Sequence, residues 1–317
     1  MKENVLKIIL IFSAVLFIEI MCRLYYEFTG NTNLFRLSSV KEAIYEFKPN
    51  SEEKRWGTIV KINSLGFRGH EYSPHKSKGI TRILVLGDSI TMGFKVPVEY
   101  VFAKRIEDLL SKKYEVWNLG VGGYDSWKEA AMLREKWIAY NPDIVILAIC
   151  LNDYDNSQNL YWVDWLGKFK SRNNSRAKYF NWLYFHSDLY RLIYDNAYTI
   201  KNNFKISDFS SQLKLSDEQI ERWEVPLKDI VDTCRQRNIK IIFSVFPLRR
   251  QAGKYEMSEP SIDSFCKKYE VPFLDMISYL KEEHFCDELH LNEAGHQITT
   301  EAIVKFLTEK GVLKSGL

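Results

Sequence analysis

The sequence predicts an α/β fold, in which helices cover both faces of a mostly parallel five-stranded sheet, with an N-terminal transmembrane helix in front. Short apolar runs that resemble buried strands alternate with longer segments of helical period. Polar turns, several with glycine, follow the apolar runs, as expected because open α/β sheets bind their ligands at the carboxyl ends of the strands. A long apolar stretch lies close to the first residue.

Five runs are predicted to be strands because they are short, apolar and rich in β-branched or aromatic residues. They are residues 82–86, 114–118, 143–149, 239–246 and 271–275. Apolar residues at helical spacing predict helices at 101–112, 127–140, 226–237 (after a candidate N-cap at Ser216) and from Asn292, a candidate N-cap, to Glu309. A further helix is expected from His186 to about residue 203.

The apolar stretch from Val5 to Cys22 is long enough to cross a bilayer. No small-x-small cleavage site follows it, which favours an uncleaved anchor over a signal peptide. Lys2 and Lys7 before it favour a cytoplasmic N-terminus and a main domain outside the cytoplasm, periplasmic or at the cell surface. The charged side chain of Glu19 disfavours insertion into a bilayer, but Glu19 lies near one end of the stretch, where the edge of the membrane tolerates a charge.

Three regions follow from these patterns. Residues 1–26 form the membrane anchor. Residues 27–78 form a juxtamembrane segment with a linker and a small β element, because residues 58–63 alternate like a strand. Residues 79–317 form the main α/β domain, with an aromatic-rich insertion at 154–215 whose rings either pack a helical subdomain or contact a bound ligand.

The turn Gly87-Asp88-Ser89 directly follows the strand predicted at 82–86. Gly87 permits a sharp turn because it has no Cβ. Ser89 would then stand near the start of a helix, where free N–H groups stabilise negative charge. Gly-Asp-Ser is also ordinary loop sequence, so the turn points to catalysis only if a base for Ser89 exists elsewhere.

A candidate base lies near the C-terminus. A serine nucleophile needs a base, usually histidine, and that histidine needs a carboxylate that holds one tautomer. Asp287 stands three residues before His290, so on one loop it can reach the ring Nδ1. Taken alone, this segment fits a solvated loop with a surface histidine slightly better than a catalytic pair.

Acyl transfer also requires donors for an oxyanion. Gly123 ends a glycine-rich loop after the second strand, and Asn152 follows the third. The N–H groups of Ser89 and Gly123 and the side-chain amide of Asn152 are suitable donors at the carboxyl ends of parallel strands. Polar turns in the order Ser, Gly, Asn and Asp-x-x-His favour a catalytic site over coincidence.

Together, Gly87-Asp88-Ser89, Gly123, Asn152-Asp153 and Asp287–His290 resemble the signature blocks of the SGNH (GDSL-type) hydrolases. The resemblance covers most of the chain and implies a flavodoxin-like three-layer α/β/α sandwich. It implies a serine esterase whose nucleophile, base and orienting acid are Ser89, His290 and Asp287. The oxyanion hole would consist of Ser89, Gly123 and Asn152.

Two details refine this resemblance. Cys150 stands where the third block usually has glycine. The segment Asn63–Arg68 is similar to one often found before the catalytic part of membrane-anchored SGNH proteins.

The expected activity is hydrolysis of acetyl or other short-chain O-acyl esters on extracytoplasmic glycans. An O-acyltransferase with the same triad, a lipid esterase or lysophospholipase, and a non-catalytic glycan-binding or assembly protein remain alternatives. The expected partners are an acylated substrate and, through the N-terminal helix, a membrane.

A net charge of +3 without a basic stripe argues against nucleic-acid binding. No zinc-type motif or dinucleotide loop is recognisable, so no metal or cofactor is expected. Cys266 and Cys286 could pair in an oxidising compartment.

Overall fold

A computed structural model describes residues 2–29, 34–55, 57–150, 182–194, 217–249, 252 and 260–313 of the 317-residue chain. Its first element is helix α1 (Lys2–Thr29). The segment Asn4–Phe28, with a mean hydropathy of 2.5, is long and apolar enough to cross a membrane, a property that signal sequences share. The predicted N-terminal helix is therefore present.

Two antiparallel hairpins precede the main sheet. Strand β1 (Phe35–Leu37) pairs with β2 (Tyr45–Phe47), and β3 (Glu52–Arg55) pairs with β4 (Thr58–Lys61). The sequence predicted only the strand at β4, whose buried and exposed residues alternate as expected. Side chains of both hairpins lie in one hydrophobic core with side chains of the main sheet.

The main sheet has five parallel strands, as the sequence predicts. They are β5 (Thr81–Leu86), β6 (Tyr114–Asn118), β7 (Ile144–Ile149), β8 (Lys240–Val245) and β9 (Phe273–Asp275). Their order in the sheet is β6-β5-β7-β8-β9. This is the flavodoxin-like order, in which the chain crosses from β6, on one side of β5, to β7 on the other. Sites of such sheets form where the carboxyl ends of the strands meet this crossover.

Helices follow the strands in turn. They are α2 (Ser89–Met92), α3 (Phe102–Leu109), α4 (Ser126–Glu135), α5 (Asp217–Arg235), α6 (Pro260–Lys268) and α7 (Glu293–Glu309). Residues 182–186 and 188–194 are also helical.

The sheet separates two hydrophobic cores. On one face, alternate strand residues such as Leu84 and Leu147 pack with α4, α5 and α6 and with the two hairpins. On the other face, their neighbours Ile83 and Ile146 pack with α3 and α7. Because successive strand residues point to opposite faces, each apolar strand serves both cores. The predicted three-layer α/β/α sandwich is confirmed.

Several helix boundaries differ from the predictions. The helix expected at 127–140 ends at Glu135, and a separate 3-10 turn spans Trp137–Tyr140. Lys136 between them leaves the helical region, with φ −129°. The helix expected at 101–112 ends at Leu109, because Leu110 is extended.

Helix α5 begins nine residues before Pro226, and α6 was not predicted. The N-cap predicted at Ser216, the residues after 194 of the predicted His186 helix, and most of the aromatic insertion lie outside the described residues.

Among the described residues, no two cysteines are joined by a disulfide. Cys266 is buried on α6, whereas Cys286 is exposed. The disulfide considered between these two residues is therefore not formed in this structure.

Candidate active site

The turn between β5 and α2 places Ser89 at the carboxyl end of a central strand. A Cβ on Gly87 would lie 2.1 Å from Thr91 Oγ1, so only glycine fits at this bend. The Asp88 carboxylate accepts a hydrogen bond from Ile90 N at 2.8 Å and caps α2. With Asp88 fixed in this role, Ser89 begins the helix and its side chain is partly exposed.

A loop between β9 and α7 brings a histidine and a carboxylate to this serine. His290 Nε2 lies 2.8 Å from Ser89 Oγ. On the other side of the ring, His290 Nδ1 lies 2.9 and 3.0 Å from the two Asp287 carboxylate oxygens. Cys286 N donates to His290 O at 2.9 Å, which closes the loop, and Asn292 caps α7 as predicted. The structure thus brings together residues that are 201 positions apart.

Asp287 is held as a carboxylate. Burial alone would raise the pKa of Asp287, but hydrogen bonds and charge from His290 and the N–H groups of Leu289 and His290 hold it well below its ordinary value. An ionised Asp287 is an acceptor only, so it holds a proton on His290 Nδ1 and leaves Nε2 to face Ser89.

The loop after α2 contributes two contacts that the sequence did not predict. The Phe94 ring lies against the His290 ring, with centroids 4.1 Å apart. Lys95 Nζ lies 3.2 Å from Asp287 Oδ2. Lys95 has φ +63°, in the left-handed region, so this contact requires an unfavourable backbone conformation that its surroundings must hold.

Arg68 supplies that support. Its guanidinium is buried and donates to Met92 O, Gly93 O and Val96 O at 2.9, 2.6 and 2.8 Å. These three carbonyls bracket Phe94 and Lys95. The only sequence signal for this role was the likeness of segment Asn63–Arg68 to a segment of membrane-anchored relatives, which carried no residue role.

The glycine-rich loop after β6 lies beside Ser89. A Cβ on Gly122 would come within 3.9 Å of Ser89 Cβ. In the part of the chain that the structure describes, neither Gly123 N nor Ser89 N has a hydrogen-bond partner, whereas Val121 N and Tyr124 N both donate to carbonyls. Both predicted backbone donors therefore remain available. The third, the Asn152 amide, lies outside the described residues.

Cys150 has a contact that glycine could not make. Its thiol lies 3.4 Å from Asp88 Oδ2, in the buried region below the turn. Sulfur is a weak donor, so Cys150 adds support to the residue that caps α2.

Among the residues described, no group of three or more His, Cys, Asp or Glu side chains is arranged to hold a metal ion. At Ser89, the structure places a hydroxyl within 2.8 Å of a histidine nitrogen, close to the glycine-rich loop.

A model of the GDSL-like Lipase/Acylhydrolase family matches residues 85–298, which is more than half of the chain. No curated protein matches the sequence.

Similar folds are found among solved esterases. A two-domain esterase active on acetylated mannans is 16% identical, with a TM-score of 0.47; the match covers 75% of this chain and 51% of that one. The acetyl xylan esterase AlAXEase is 15% identical, with a TM-score of 0.44 and coverages of 71% and 98%. The esterase EstA from Pseudoalteromonas sp. is 12% identical, with a TM-score of 0.46 and coverages of 73% and 98%. The chain thus spans about half the length of the two-domain esterase.

Proposed function

We propose that this chain, which belongs to the GDSL-like lipase/acylhydrolase family, hydrolyses carboxylic esters with Ser89 as its nucleophile. At the level of the family, the predicted SGNH/GDSL-type ester hydrolase is confirmed. The observation that carries the proposal is the short contact between Ser89 Oγ and His290 Nε2, 2.8 Å, with Asp287 on the other ring nitrogen.

The reaction proceeds in two halves. Ser89 Oγ attacks the ester carbonyl carbon while its proton passes to His290 Nε2, and the carbonyl oxygen becomes an oxyanion. The tetrahedral intermediate collapses, His290 returns the proton to the leaving alcohol, and an acyl group remains on Ser89. Water, deprotonated by His290, then attacks the acyl-enzyme and releases the acid.

Asp287 and the free N–H groups stabilise the charges that form in this reaction. The imidazolium that His290 becomes lies beside the ionised Asp287 carboxylate. The oxyanion binds Ser89 N–H, Gly123 N–H and the Asn152 amide, each of which is a donor of the required type.

The substrate that we propose is an acetyl or short-chain O-acyl ester of an extracytoplasmic glycan. The aromatic residues that are dense between 154 and 190 support this choice, because aromatic rings stack on sugar faces. The chain acts while tethered to a membrane by α1, with its catalytic domain outside the cytoplasm.

Contacts of Glu19 support the anchor. The carboxylate of Glu19 is the main cost of placing this helix at a membrane. It accepts hydrogen bonds from Asp188 N, Ser187 Oγ and Leu189 N at 2.9, 2.8 and 3.1 Å. The one carboxylate near the end of the apolar stretch is therefore fully bonded where α1 meets the helical residues 188–194.

The test uses the full-length chain in detergent micelles with p-nitrophenyl acetate, acetylated oligosaccharides and lysophospholipids as substrates. We expect release of acetate from acetylated oligosaccharides by the wild type and at least about 1000-fold slower turnover by Ser89→Ala. An inactive wild type, or a fully active Ser89→Ala, would refute the esterase. Preference for lysophospholipids, or transfer of acetyl to an added acceptor sugar, would replace the proposed substrate class or reaction with an alternative.

A further inference from the structure

The glycine turn at residues 121–124 contains one peptide whose orientation decides whether Gly123 can serve as an oxyanion donor. Tyr124 N donates to Val121 O at 3.0 Å, which closes a four-residue turn, and Gly123 has φ +78°. A positive φ at the third residue is the mark of a type II turn. In a type I turn, the central peptide between Gly122 and Gly123 is rotated by roughly half a revolution. Gly123 N–H would then point to the opposite side.

The turn's own sequence does little to select one orientation. Gly122 and Gly123 both lack a Cβ, and glycine adopts positive and negative φ about equally readily. The hydrogen bond from Val121 N to Gly87 O, 3.0 Å, fixes the start of the turn but does not act on its central peptide. A contact from outside the turn must hold that peptide.

Tyr45 makes this contact. Its hydroxyl donates to Gly122 O at 2.8 Å. In a planar trans peptide, a carbonyl and the following N–H point in opposite directions. Holding Gly122 O therefore also sets the direction of Gly123 N–H. Burial raises the pKa of Tyr45 well above its ordinary value, so the hydroxyl keeps the proton that it donates.

The Tyr45 ring is itself fixed in place. It lies on β2, is fully buried, and meets the rings of Phe35 and Tyr124 edge-on, with centroids 5.4 and 5.3 Å away. The Tyr124 hydroxyl donates in return to the Tyr45 carbonyl. Two hydrogen bonds in opposite directions thus join β2 to the glycine turn.

We propose that Tyr45 is a positioning residue that orients Gly123 N–H toward the oxyanion, so that the hairpin before the catalytic domain completes the oxyanion hole. The inference rests on the proposed function, in which Gly123 N–H binds that oxyanion. In this proposal, the segment between α1 and β5 contributes to turnover as well as to packing.

The deciding variant is Tyr45→Phe, which removes one hydroxyl and leaves the ring. The matched control is Tyr72→Phe. Tyr72 comes from the same segment, and its part-buried hydroxyl also lies 2.8 Å from a backbone carbonyl, Val116 O, but that carbonyl lies within β6. The same hydroxyl lies 3.0 Å from Glu107 Oε1, so Tyr72→Phe also removes a polar side-chain contact, away from Ser89. Both variants are measured in the full-length chain, with kcat per active site counted by labelling Ser89 with a phosphonate ester. This normalisation keeps the comparison valid if either variant folds in lower yield.

We expect Tyr45→Phe to lower kcat by roughly 10- to 100-fold with KM within about twofold, since a misplaced donor costs somewhat less than a missing one. Affinity for a boronic acid that forms a tetrahedral adduct on Ser89 should fall by a similar factor. Tyr72→Phe should change neither value by more than about twofold. Tyr45→Phe and Gly123→Ala should also be less than additive, because both act on one peptide.

An unchanged kcat in Tyr45→Phe, while Ser89→Ala is inactive, would overturn the role of Tyr45 and leave the esterase intact. Equal losses of kcat in both tyrosine variants would also overturn it, because the Tyr45 hydroxyl would then act only through packing. An active Ser89→Ala would instead overturn the proposed function and this inference with it.

Discussion

Lowering the pH from 7 to 5 should destabilise the catalytic domain through His296, a residue of α7 that takes no part in the proposed reaction. His296 is buried, stacks on Phe102 with ring centroids 5.7 Å apart, and accepts a hydrogen bond from Phe102 N on Nδ1 at 3.3 Å. Burial, together with the positive charges of Arg68 and Arg105 and the proximity of His290, lowers the pKa of His296 to about 3. The imidazole is therefore neutral in the folded protein.

The sign and size of the effect follow from this shift. An unfolded chain binds a proton on His296 below about pH 6.5, whereas the folded chain does so only below about pH 3. Between these values the unfolded state holds more protons, so the free energy of unfolding falls as the pH falls. The slope approaches about 1.4 kcal/mol per pH unit, and the loss between pH 7 and 5 is about 2 kcal/mol.

The assay is urea unfolding of the full-length chain in micelles at both pH values, followed by near-UV circular dichroism. Other groups also titrate, so the comparison is made with His296→Asn, whose side-chain oxygen can accept the same bond from Phe102 N. This variant should be less stable at pH 7 because it fills less volume. Its further loss between pH 7 and 5 should be smaller than that of the wild type by about 2 kcal/mol.

Equal losses in the two proteins would refute the reasoning. So would direct titration of His296 in the folded protein by NMR with a midpoint near the ordinary histidine value. Either result would mean that the imidazole accepts a proton without leaving its packed position.

Other substitutions test the site and its supports. Asp287→Asn should lower kcat by roughly 1000- to 10,000-fold at nearly constant KM, because the amide no longer enforces the required His290 tautomer. Steady-state kinetics measure both constants, and only a mild loss of kcat would contradict the role of Asp287 in orienting His290. Arg68→Met should lower the free energy of unfolding by about 3 kcal/mol or more, because three buried carbonyls lose a charged donor, and should reduce kcat as well. Unchanged kcat in folded Arg68→Met would show that the loop keeps its shape unaided. Gly120→Ala should lower the melting temperature, since the added Cβ would lie 2.3 Å from Met92 N. Gly122→Ala should lower the melting temperature much less, because the nearest atom to its added Cβ is 3.7 Å away. Similar melting temperatures for the two would contradict the close approach at Gly120.

Local patterns in the sequence predicted much of the fold. All five main strands were predicted to within about two residues, because their short length and their enrichment in β-branched and aromatic residues favour a buried strand over a buried helix. The cap at Asn292 and the start of a helix at Ser89 followed from residue chemistry at single positions. The hairpin of β1 and β2 was missed because its strands are only three residues long, too short to show a period.

The sequence by itself determined the chemical types at the candidate site: a serine in a tight turn, a histidine with a carboxylate three positions away, and glycines after a strand. Such signals are local, since they depend on residue identity and spacing within a few positions. The sequence also determined the family, because the family model matches most of the catalytic domain.

Only the tertiary structure decided which distant groups meet. The contact between Ser89 and His290 joins residues 201 positions apart. The bonds from Tyr45 to Gly122 and from Arg68 to the loop after α2 join the first hairpin and the turn after the second hairpin to the main domain. Each of these contacts depends on how the packed layers align in space. A buried tyrosine or arginine must find a hydrogen-bond partner, but its neighbours in the sequence do not show whether that partner lies in a loop of the candidate site or elsewhere in the core.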